Sequence, residues 1–325
     1  MNFRTEINLP PAKNQITYKD KILTFGSCFA ENIANKLTAS KFDVYSNPFG
    51  VLYNPVSILN SVKLLVSGKR FSESDLIFDQ EEYHSFFHHS DFSHHDKDVV
   101  LKRINSSLDK TESYLKDVSF VTITLGTAWI YLYKENGATV SNCHKIPAKM
   151  FERKRLSVQE TASALSEIIA LLRSKNPELK IIFTVSPIRH WKDGAVENQI
   201  SKSTLLMGIQ EVKEENVIYF PSYEIMMDDL RDYRFYEKDM LHPSVQAVDY
   251  IWEKFRSVFF DENTLQIMKS VEKIVNAFNH RPRNPESEKH QMFVKKNIEL
   301  INQLVHNYPE INFREELTYF NDLLK

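Results

Sequence analysis

The stretch KILTFGSCFAEN, residues 21–32, joins an apolar run to a glycine and two small side chains that can act as nucleophiles. The apolar residues, from Ile22 to Phe25, are typical of a buried β-strand, and Gly26 predicts a tight turn where that strand ends. After Ser27 and Cys28, apolar residues recur at helical spacing, which indicates an amphipathic helix. The stretch therefore predicts a strand-to-helix turn that carries Ser27 and Cys28.

Four further apolar, β-rich runs follow along the chain. They span residues 42–45, 120–125, 181–185 and 217–220. Helical periodicity fills the segments between them, and one such segment starts with Ser157 and Glu160 at the spacing of a capping box. Short strands that alternate with helices are typical of a parallel sheet covered on both faces. We therefore expect an α/β fold of three α/β/α layers with a five-stranded, mostly parallel sheet, and a hairpin around Gly137 after the third strand.

Beyond Phe260 the pattern changes to helical periodicity only. It is interrupted at residues 281–285, where two prolines oppose a continuous helix. We expect a main domain over residues 1–260 and a C-terminal helical extension over residues 261–325. Helical additions of this kind usually pack against the core or cover a site without taking part in the chemistry.

The composition narrows the classes of partner. The chain has 41 Lys and Arg residues against 43 Asp and Glu residues, so its net charge of -2 provides no field that would attract a nucleic acid. No apolar run approaches the ~18 residues of a membrane span, and the first twenty residues lack a signal-peptide pattern. We expect a cytoplasmic protein without membrane insertion. The two cysteines, Cys28 and Cys143, are too few for a disulfide framework, although the sequence leaves a single bridge between them open.

The position of Ser27 and Cys28 suits nucleophilic chemistry. A side chain at a strand-to-helix turn faces the crevice above the carboxyl ends of a parallel sheet. The amino end of the next helix stabilises a nearby negative charge, which favours a reactive alkoxide or thiolate. We therefore expect a lowered pKa for the Cys28 thiol. The alternative is structural, with a tight turn in which Ser27 caps the helix.

A second motif, DMLHPS at residues 239–244, follows the fifth predicted strand. Asp239 and His242 are three residues apart, so the carboxylate can hold one imidazole nitrogen while the other faces a nucleophile. This pattern is common in isolation. Here the two motifs follow the first and last predicted strands, and the carboxyl ends of parallel strands meet at one edge of a sheet.

These motifs resemble a known superfamily. GSCFAEN and DMLHPS are similar to the first and last sequence blocks of SGNH (GDSL-like) hydrolases, commonly written GDSLTEG and DGLHPS, and the first motif is the signature of the GSCFA family. NPFGVLYNP, LGTAWIY and SPIRHWKDGAVENQISKS also look like segments of that family, so the resemblance covers roughly residues 20–260. It implies an SGNH-type fold and an acyl-ester or thioester hydrolase or acyltransferase. The implied substrate is a small-molecule or glycan acyl compound, with neither a metal nor another cofactor.

The resemblance also implies site residues. If Gly26 and Glu31 are aligned with the family's glycine and glutamate, Cys28 takes the position of the attacking serine, with His242 as base and Asp239 as the acid that orients it. A shift of one residue would give that role to Ser27.

The oxyanion hole implied by the resemblance is less complete. Gly50 occupies the place of the second amide donor. Ala128 stands where the family has an asparagine, so Thr127 or Asn142 would have to replace that donor. The loss of one donor costs about 10²–10³ in rate in a hydrolase that depends on it.

Other polar residues have alternative interpretations. Arg189 and His190 follow the fourth strand and could bind an acidic group on the substrate, although Arg189 could equally pair with Asp193. The histidines between residues 84 and 95 lack the spacing of a metal site, so the main expectation is a polar loop that either lies beside the substrate, with His89 as a candidate contact, or is merely solvated. They are His84, His88, His89, His94 and His95. A metal-dependent hydrolase built on these histidines is a minor alternative.

The leading hypothesis is therefore acyl transfer through a covalent intermediate on Cys28 or Ser27. A second hypothesis comes from a different class. The chain could be a catalytically silent SGNH-like module that binds an acylated or carbohydrate ligand, and the alanine at position 128 favours this alternative.

Overall fold

A computed structural model describes residues 4–324 of the chain, and its centre is a five-stranded sheet. In chain order the strands are β1 (Lys21–Gly26), β2 (Asp43–Ser46), β3 (Ile77–Asp79), β4 (Glu82–His84), β5 (Val118–Leu125), β6 (Trp129–Tyr133), β7 (Thr139–Val140), β8 (Phe151–Arg155), β9 (Lys180–Val185) and β10 (Val217–Phe220). The central sheet has the order β10-β9-β5-β1-β2, and every neighbouring pair in it is parallel. The five predicted runs are its five strands, which confirms the predicted architecture.

The order of the sheet decides where a ligand can bind. Numbered along the chain, its strands run 2-1-3-4-5 across the sheet, the flavodoxin-like order of doubly wound folds. From β1 the chain first adds β2 on one side and then β5 on the other, so the strand order switches direction between β1 and β5. A crevice opens beyond the carboxyl ends of the strands at such a switch point. Gly26, Ser27 and Cys28 lie at this crevice because they end β1 and begin the next helix.

Helices cover both faces of the sheet. The α-helices among the described residues are α1 (Cys28–Ala39), α2 (Pro55–Ser67), α3 (Lys97–Leu115), α4 (Val158–Lys175), α5 (Gly194–Glu211), the short α6 (Ser222–Glu224), α7 (Val245–Phe259), α8 (Glu262–Asn279), α9 (Glu288–Asn307) and α10 (Arg314–Asp322). In β9, Ile182 belongs to the apolar cluster with α1 and α7, whereas Ile181 and Phe183 belong to the cluster with α2 to α5. This alternation is the period of two expected for a strand buried on both faces.

The start of α4 confirms the predicted capping box. The backbone amide of Glu160 donates to Ser157 Oγ at 3.1 Å, and the amide of Ser157 donates to Glu160 Oε2 at 2.8 Å. Two amides that lack an intrahelical acceptor are thereby satisfied. The apolar side chains of the helix then lie buried at helical spacing, including Leu165 and Leu172.

Two small antiparallel sheets lie outside the central one. The predicted hairpin at Gly137 joins β6 and β7, and β8 adds a third strand that the sequence did not indicate. The β8 sequence FERKR is mostly charged, so it lacks the apolar pattern by which a strand is recognised. The guanidinium carbon of Arg153 lies 4.2 Å from the centre of the Trp129 ring, and this cation–π contact between β8 and β6 helps to hold the strand. Residues 77–84 form the β3–β4 hairpin, which the sequence did not indicate. The polar loop that was expected from the histidines begins at the end of this hairpin, at His84.

The last three helices pack onto the main core. Side chains of α8 and α9, such as Val271 and Ile301, belong to the same apolar cluster as Trp252 of α7. Lys41, just after α1, forms an ion pair with the nearly buried Glu316 of α10. The proposed boundary at residue 260 therefore separates two segments that share one core. Among the helices of the described residues, none has both the length and the apolar character needed to cross a bilayer.

The close packing at Gly26 leads to a stability prediction. A Cβ atom there would lie 2.3 Å from the Thr124 carbonyl oxygen, and the φ of +140° is one that side chains rarely adopt. Gly26→Ala should therefore lower the free energy of unfolding by about 3 kcal/mol or more, measured by urea denaturation. Gly137→Ala is the control, since its φ of +70° is strained but nothing lies within 4 Å, and it should cost only about 1 kcal/mol. Equal losses in the two variants would contradict the packing argument.

Candidate active site

Cys28 and Ser27 differ in accessibility. Cys28 is the first residue of α1 and is partly exposed, whereas Ser27 is 1% exposed. The amide of Ser27 donates to the Thr124 carbonyl at 3.1 Å, and its buried hydroxyl has no hydrogen-bond partner within the described part of the chain. The hydroxyl does not cap α1 either, contrary to the structural alternative. Of the two candidate nucleophiles, Cys28 is therefore the more accessible one.

The electrostatics at Cys28 correct the expectation of a lowered pKa. Burial raises the pKa of the thiol, and the nearby carboxylate of Glu31 raises it further. The amides of Cys28 and Phe29 at the start of α1 act in the opposite direction, as does the charge of Lys202, but their effects are smaller. The helix terminus does stabilise the thiolate, as the sequence suggested, yet desolvation outweighs it. Deprotonation at neutral pH therefore requires a base.

His242 and Asp239 form the predicted imidazole–carboxylate pair. His242 Nδ1 and Asp239 Oδ2 are 2.5 Å apart. Asp239 Oδ1 accepts from the backbone amides of Leu241 and His242 at 2.9 and 3.0 Å, so the carboxylate is held by the loop it orients. These hydrogen bonds, the two backbone ones foremost, lower the pKa of Asp239 to about 2. The carboxylate therefore stays ionised over the whole physiological range and fixes the imidazole with Nε2 pointing away.

Cys28 and His242 lie on segments that leave the same edge of the sheet. The segment before α7 borders α1 across a shallow groove, which is lined by Asn32 on one side and by Glu237 and Pro243 on the other. An ion pair between Lys36 of α1 and Asp249 of α7 joins the two helices. Helix α1 and the loop that carries His242 are therefore neighbours.

Electrostatic effects extend from His242 and Lys202 to the side chains at the crevice. The charge of Lys202 acts on the Cys28 thiol and on the His190 ring, and the charge of His242 also acts on His190. Partial desolvation comes first among the causes that lower the pKa of His190, followed by these two charges. Within residues 4–324, the hydrogen bonds of the His242 ring go to Asp239 alone, so no hydrogen bond joins His242 to Cys28 in this conformation.

The residues expected to complete the oxyanion hole are engaged elsewhere. The amide of Gly50 donates to the Asn47 carbonyl at 2.7 Å. The amide of Thr127 donates to the Tyr53 carbonyl at 2.9 Å, and the Thr127 hydroxyl lies 3.1 Å from that of Ser201. Neither Gly50 nor Thr127 is therefore free to bind an oxyanion in this conformation.

The third candidate donor, Asn142, lies in the outer hairpin region. Its side-chain oxygen accepts from the amide of His144 at 2.9 Å and so stabilises a local turn. The free backbone donors beside the thiol are instead the amides of Cys28 and Phe29, which have no intrahelical acceptor because they lie in the first turn of α1.

Sequence reasoning missed Asn47, which links the nucleophile turn to Glu31. The Asn47 side-chain oxygen accepts from the Gly26 amide at 2.9 Å, and its nitrogen donates to Glu31 Oε1 at 3.3 Å. Asn47 also has a φ of 44°, a left-handed conformation that asparagine tolerates better than most residues. The Asn-Pro pair at positions 47 and 48 was the available signal, since it indicates a turn.

Lys202 is the second residue that the sequence did not single out. It is fully buried on α5, and its ammonium donates to the carbonyls of Gly126 and Ser186 at 2.7 and 2.8 Å. These carbonyls follow the ends of β5 and β9, so Lys202 ties together two loops at the crevice. Burial lowers the pKa of Lys202 to about 7, aided by the charge of Arg189.

Arg189 and His190 lie at the same edge, as predicted. Asp193, the expected local partner of Arg189, pairs with Arg153 instead. Arg189 Nε donates to Asn198 Oδ1 at 3.3 Å, and the His190 ring meets that of Tyr53 edge-on at 5.9 Å. The alternative in which Arg189 pairs with Asp193 is therefore wrong. The guanidinium of Arg189 is held instead by the neutral side-chain amide of Asn198.

The histidine segment is more buried than a solvated loop would be. His84 and His88 are buried, His84 stacks on His144 at 4.6 Å, and His88 Nδ1 lies 2.9 Å from Ser85 Oγ. Burial lowers the pKa of His88 to about 3 and that of His144 to about 4, so both rings are neutral at physiological pH. Across residues 4–324, no group of three His, Cys, Asp or Glu side chains is arranged to hold a metal ion.

His89 has a structural position beside the crevice. A Cβ atom on Gly50 would lie 2.3 Å from the Cβ atom of His89, and the His89 amide donates to the Phe49 carbonyl at 2.8 Å. Its Nδ1 atom lies 3.0 Å from Asp91 Oδ2. His94 and His95 lie further along, with their rings 4.0 Å apart. Both cysteines are free thiols, so the disulfide left open by the sequence does not form.

Lys202 leads to a prediction about the pH dependence of stability. Its pKa is lower in the folded protein than in the unfolded chain, so the unfolded chain binds more protons between pH 7 and pH 10 and stability should rise with pH there. In Lys202→Met this contribution is absent. The free energy of unfolding of the parent minus that of the variant should therefore increase by up to about 1.4 kcal/mol per pH unit. Urea denaturation at pH 7, 8 and 9 measures this change. Lys192→Met, at an exposed lysine, is the control, and a parent–Lys202→Met difference that does not change with pH would contradict the prediction.

Comparisons with known proteins place the chain in a family. One similar solved structure is a carbohydrate esterase family 3 protein from Talaromyces cellulolyticus, with 9% sequence identity, a TM-score of 0.35 and an alignment that covers 77% of this chain and 98% of that chain. A second is an acetyl esterase mutant with acetate ion, with 9% identity, a TM-score of 0.36 and coverage of 78% of this chain and 99% of that chain. A third is an acetyl xylan esterase from the rumen bacterium Butyrivibrio proteoclasticus, with 13% identity, a TM-score of 0.37 and coverage of 80% of this chain and 67% of that chain. Likenesses this weak carry no argument about activity, and no curated protein matches the chain. The profile of the GSCFA family matches residues 21–255, and that of the C-terminal domain of GSCFA domain proteins matches residues 271–325. Because the first match covers more than half of the chain, the protein belongs to the GSCFA family.

Proposed function

We propose that the protein is an SGNH-type acyl hydrolase or acyltransferase in which Cys28 is the nucleophile, His242 the base and Asp239 the acid that orients it. One observation carries the proposal. An accessible thiol begins the helix at the sheet's switch point, and a carboxylate-oriented imidazole lies on the neighbouring segment of the same edge. The substrate class is a small acyl ester or thioester, or an acylated glycan.

The acylation step begins with the neutral thiol. His242 Nε2 removes the proton from Cys28, and the sulfur attacks the acyl carbon to give a tetrahedral oxyanion. The bond to the leaving alcohol or thiol then breaks, and the protonated His242 donates its proton to the leaving atom. Asp239 keeps Nδ1 protonated and stabilises the imidazolium that forms in between.

The deacylation step repeats the chemistry with a different nucleophile. Water, or an acceptor hydroxyl, loses a proton to His242 and attacks the thioester carbon on Cys28. The carbon–sulfur bond breaks, and His242 returns the proton to the sulfur. Since the imidazole and thiol are not hydrogen-bonded in the unliganded conformation, we infer that substrate binding brings them together, as catalytic contacts often tighten in the complex.

The oxyanion is stabilised by the start of α1. The amides of Cys28 and Phe29 already act on the sulfur, so they are placed to donate to an oxygen bound one atom further out. The charge of Lys202 adds a favourable field. This arrangement does without the asparagine that Ala128 replaces.

A catalytically silent binding module is the second candidate function. The observation in its favour is that burial and Glu31 keep the Cys28 thiol protonated, while the amides of Gly50 and Thr127 are engaged. A module of this kind would bind an acylated or carbohydrate ligand without turnover. The experiment on Cys28 separates it from the enzyme.

The first test of the proposed function is acyl-enzyme formation on Cys28. The protein is mixed with a panel of acetyl and longer-chain acyl esters and thioesters, and intact-mass spectrometry and hydrolysis rates are measured. We expect one added acyl group on Cys28 and a loss of turnover of at least ~10³-fold in Cys28→Ala. Cys143→Ala is the matched control, because Cys143 is also a partly exposed free thiol whose pKa burial raises. Activity that survives Cys28→Ala but not Ser27→Ala would transfer the role to Ser27, and ligand binding without acylation or turnover would favour the binding module.

A second test concerns the orienting carboxylate. Asp239→Asn keeps an oxygen for the amides of Leu241 and His242, so the loop should be retained, but it places an amide N–H where the Nδ1 proton of the imidazole must point. We expect turnover to fall by as much as ~10⁴-fold with KM nearly unchanged and with the same unfolding midpoint. The measurement is steady-state kinetics beside thermal unfolding. Unchanged turnover in this variant and in His242→Ala would remove both residues from the mechanism.

A further inference from the structure

A second concave surface lies beside the candidate active site. It encloses about 380 Å³ and includes Arg189, Trp191, Leu230, Tyr233 and Met240 in its lining. We call it the Arg189 groove. Met240 lies between Asp239 and His242 in the sequence, so one wall of the groove belongs to the loop that holds the proposed base.

Several large apolar side chains in the lining of the groove are exposed to solvent. Trp191 is 52% exposed, Tyr233 78% and Met240 52%. Large apolar side chains that are exposed singly need no explanation, but several around one concavity are typical of a surface that covers a ligand. Met226 and Met227 also line it, and methionine adapts to irregular apolar shapes.

One positive charge in the groove has no acidic partner. Within residues 4–324, no carboxylate forms an ion pair with Arg189, and its Nε is held by the neutral oxygen of Asn198 at 3.3 Å. The other charged groups of the lining are paired, Arg231 with Asp228 at 3.2 Å and Asp232 with Arg234 at 3.0 Å. The excess positive charge of the groove is therefore concentrated at Arg189.

The guanidinium is also oriented for a ligand. Its carbon lies 5.6 Å from the centre of the Trp191 ring, so the indole and the amide of Asn198 restrict the side chain from two sides. A planar guanidinium in a fixed position can bind a carboxylate or phosphate through two parallel hydrogen bonds. The guanidinium also lies close enough to the buried Lys202 for its charge to help lower the pKa of that lysine.

We propose that the Arg189 groove binds an anionic group attached to an apolar chain, and that this chain is part of the acyl substrate. The anion is a carboxylate or a phosphate on Arg189, and the apolar part lies against Trp191, Tyr233 and Met240. This inference rests on the proposed function, because it assigns the substrate class of the same site. The protein then selects acyl compounds with a negative charge remote from the scissile bond over neutral ones.

Binding is tested without turnover. Octanoate, octyl phosphate, octanamide and octylamine are titrated into the parent protein, into Arg189→Gln and into the control Lys192→Gln, with calorimetry and tryptophan fluorescence as readouts. We expect the two anions to bind at least ten-fold more tightly than octanamide and octylamine, and this preference to disappear in Arg189→Gln but not in Lys192→Gln. Tighter binding of octanoate assigns a carboxylate and tighter binding of octyl phosphate assigns a phosphate. The proposal is overturned if octanamide binds as tightly as the two anions, if Arg189→Gln keeps the full preference for the anions, or if none of the four compounds binds.

Turnover separates this inference from the proposed function. Nitrophenyl esters of octanoic acid and monoesters of a dicarboxylic acid of equal length are compared in the parent and in Arg189→Gln, with thermal unfolding as a check on folding. We expect a KM for the anionic ester that is at least ten-fold lower in the parent than in Arg189→Gln, with kcat changed far less. Turnover of both esters without preference overturns the groove and leaves the enzyme. Arg189-dependent binding without turnover of any ester supports the groove and contradicts the enzyme.

Discussion

The candidate active site depends on the close contact between the end of β1 and its neighbour β5. At Gly26 the two backbones approach so closely that a side chain would overlap the Thr124 carbonyl. The Gly26 amide is satisfied from the other side by Asn47, and the Ser27 amide by Thr124. With its backbone groups held on both sides, the chain turns sharply out of the sheet and starts α1 above the crevice. The accessibility of Cys28 and the direction of the first helical amides both follow from this turn.

The chemistry at the turn is a balance between desolvation and local dipoles. Burial and Glu31 favour the neutral thiol, whereas the amides of Cys28 and Phe29 and the charge of Lys202 favour the thiolate. The first group prevails. A thiol held neutral in this way is protected from indiscriminate reaction with electrophiles and acts only when a base is brought to it. In the proposed mechanism this base is His242, and the Asp239 carboxylate that orients it is kept ionised well below neutral pH by its hydrogen bonds.

The features that could be predicted from the sequence are those that arise from short-range patterns. The five strands, the capping box at Ser157 and the contact of Asp239 with His242 need only periodicity or a spacing of three residues. Features set by distant contacts were missed or misjudged. Lys202 gave no signal because its acceptors lie 76 and 16 residues away, and the pKa of Cys28 was misjudged because its burial depends on the assembled fold.

The shared core of α7 to α10 has a consequence for how the protein is made. Phe313 and Phe320 are buried in the cluster that also holds α1 and α7, and Glu316 pairs with Lys41 at the end of α1. A ribosome produces these residues long after the nucleophile motif has emerged. During synthesis the apolar cluster around α1 and α7 therefore stays incomplete until α8 to α10 have been made, with apolar surface exposed that nascent chains must protect from aggregation. Folding around α1 and α7 is thus completed late, and any shortening of the C-terminal helices removes apolar contacts from the cluster that holds these two helices.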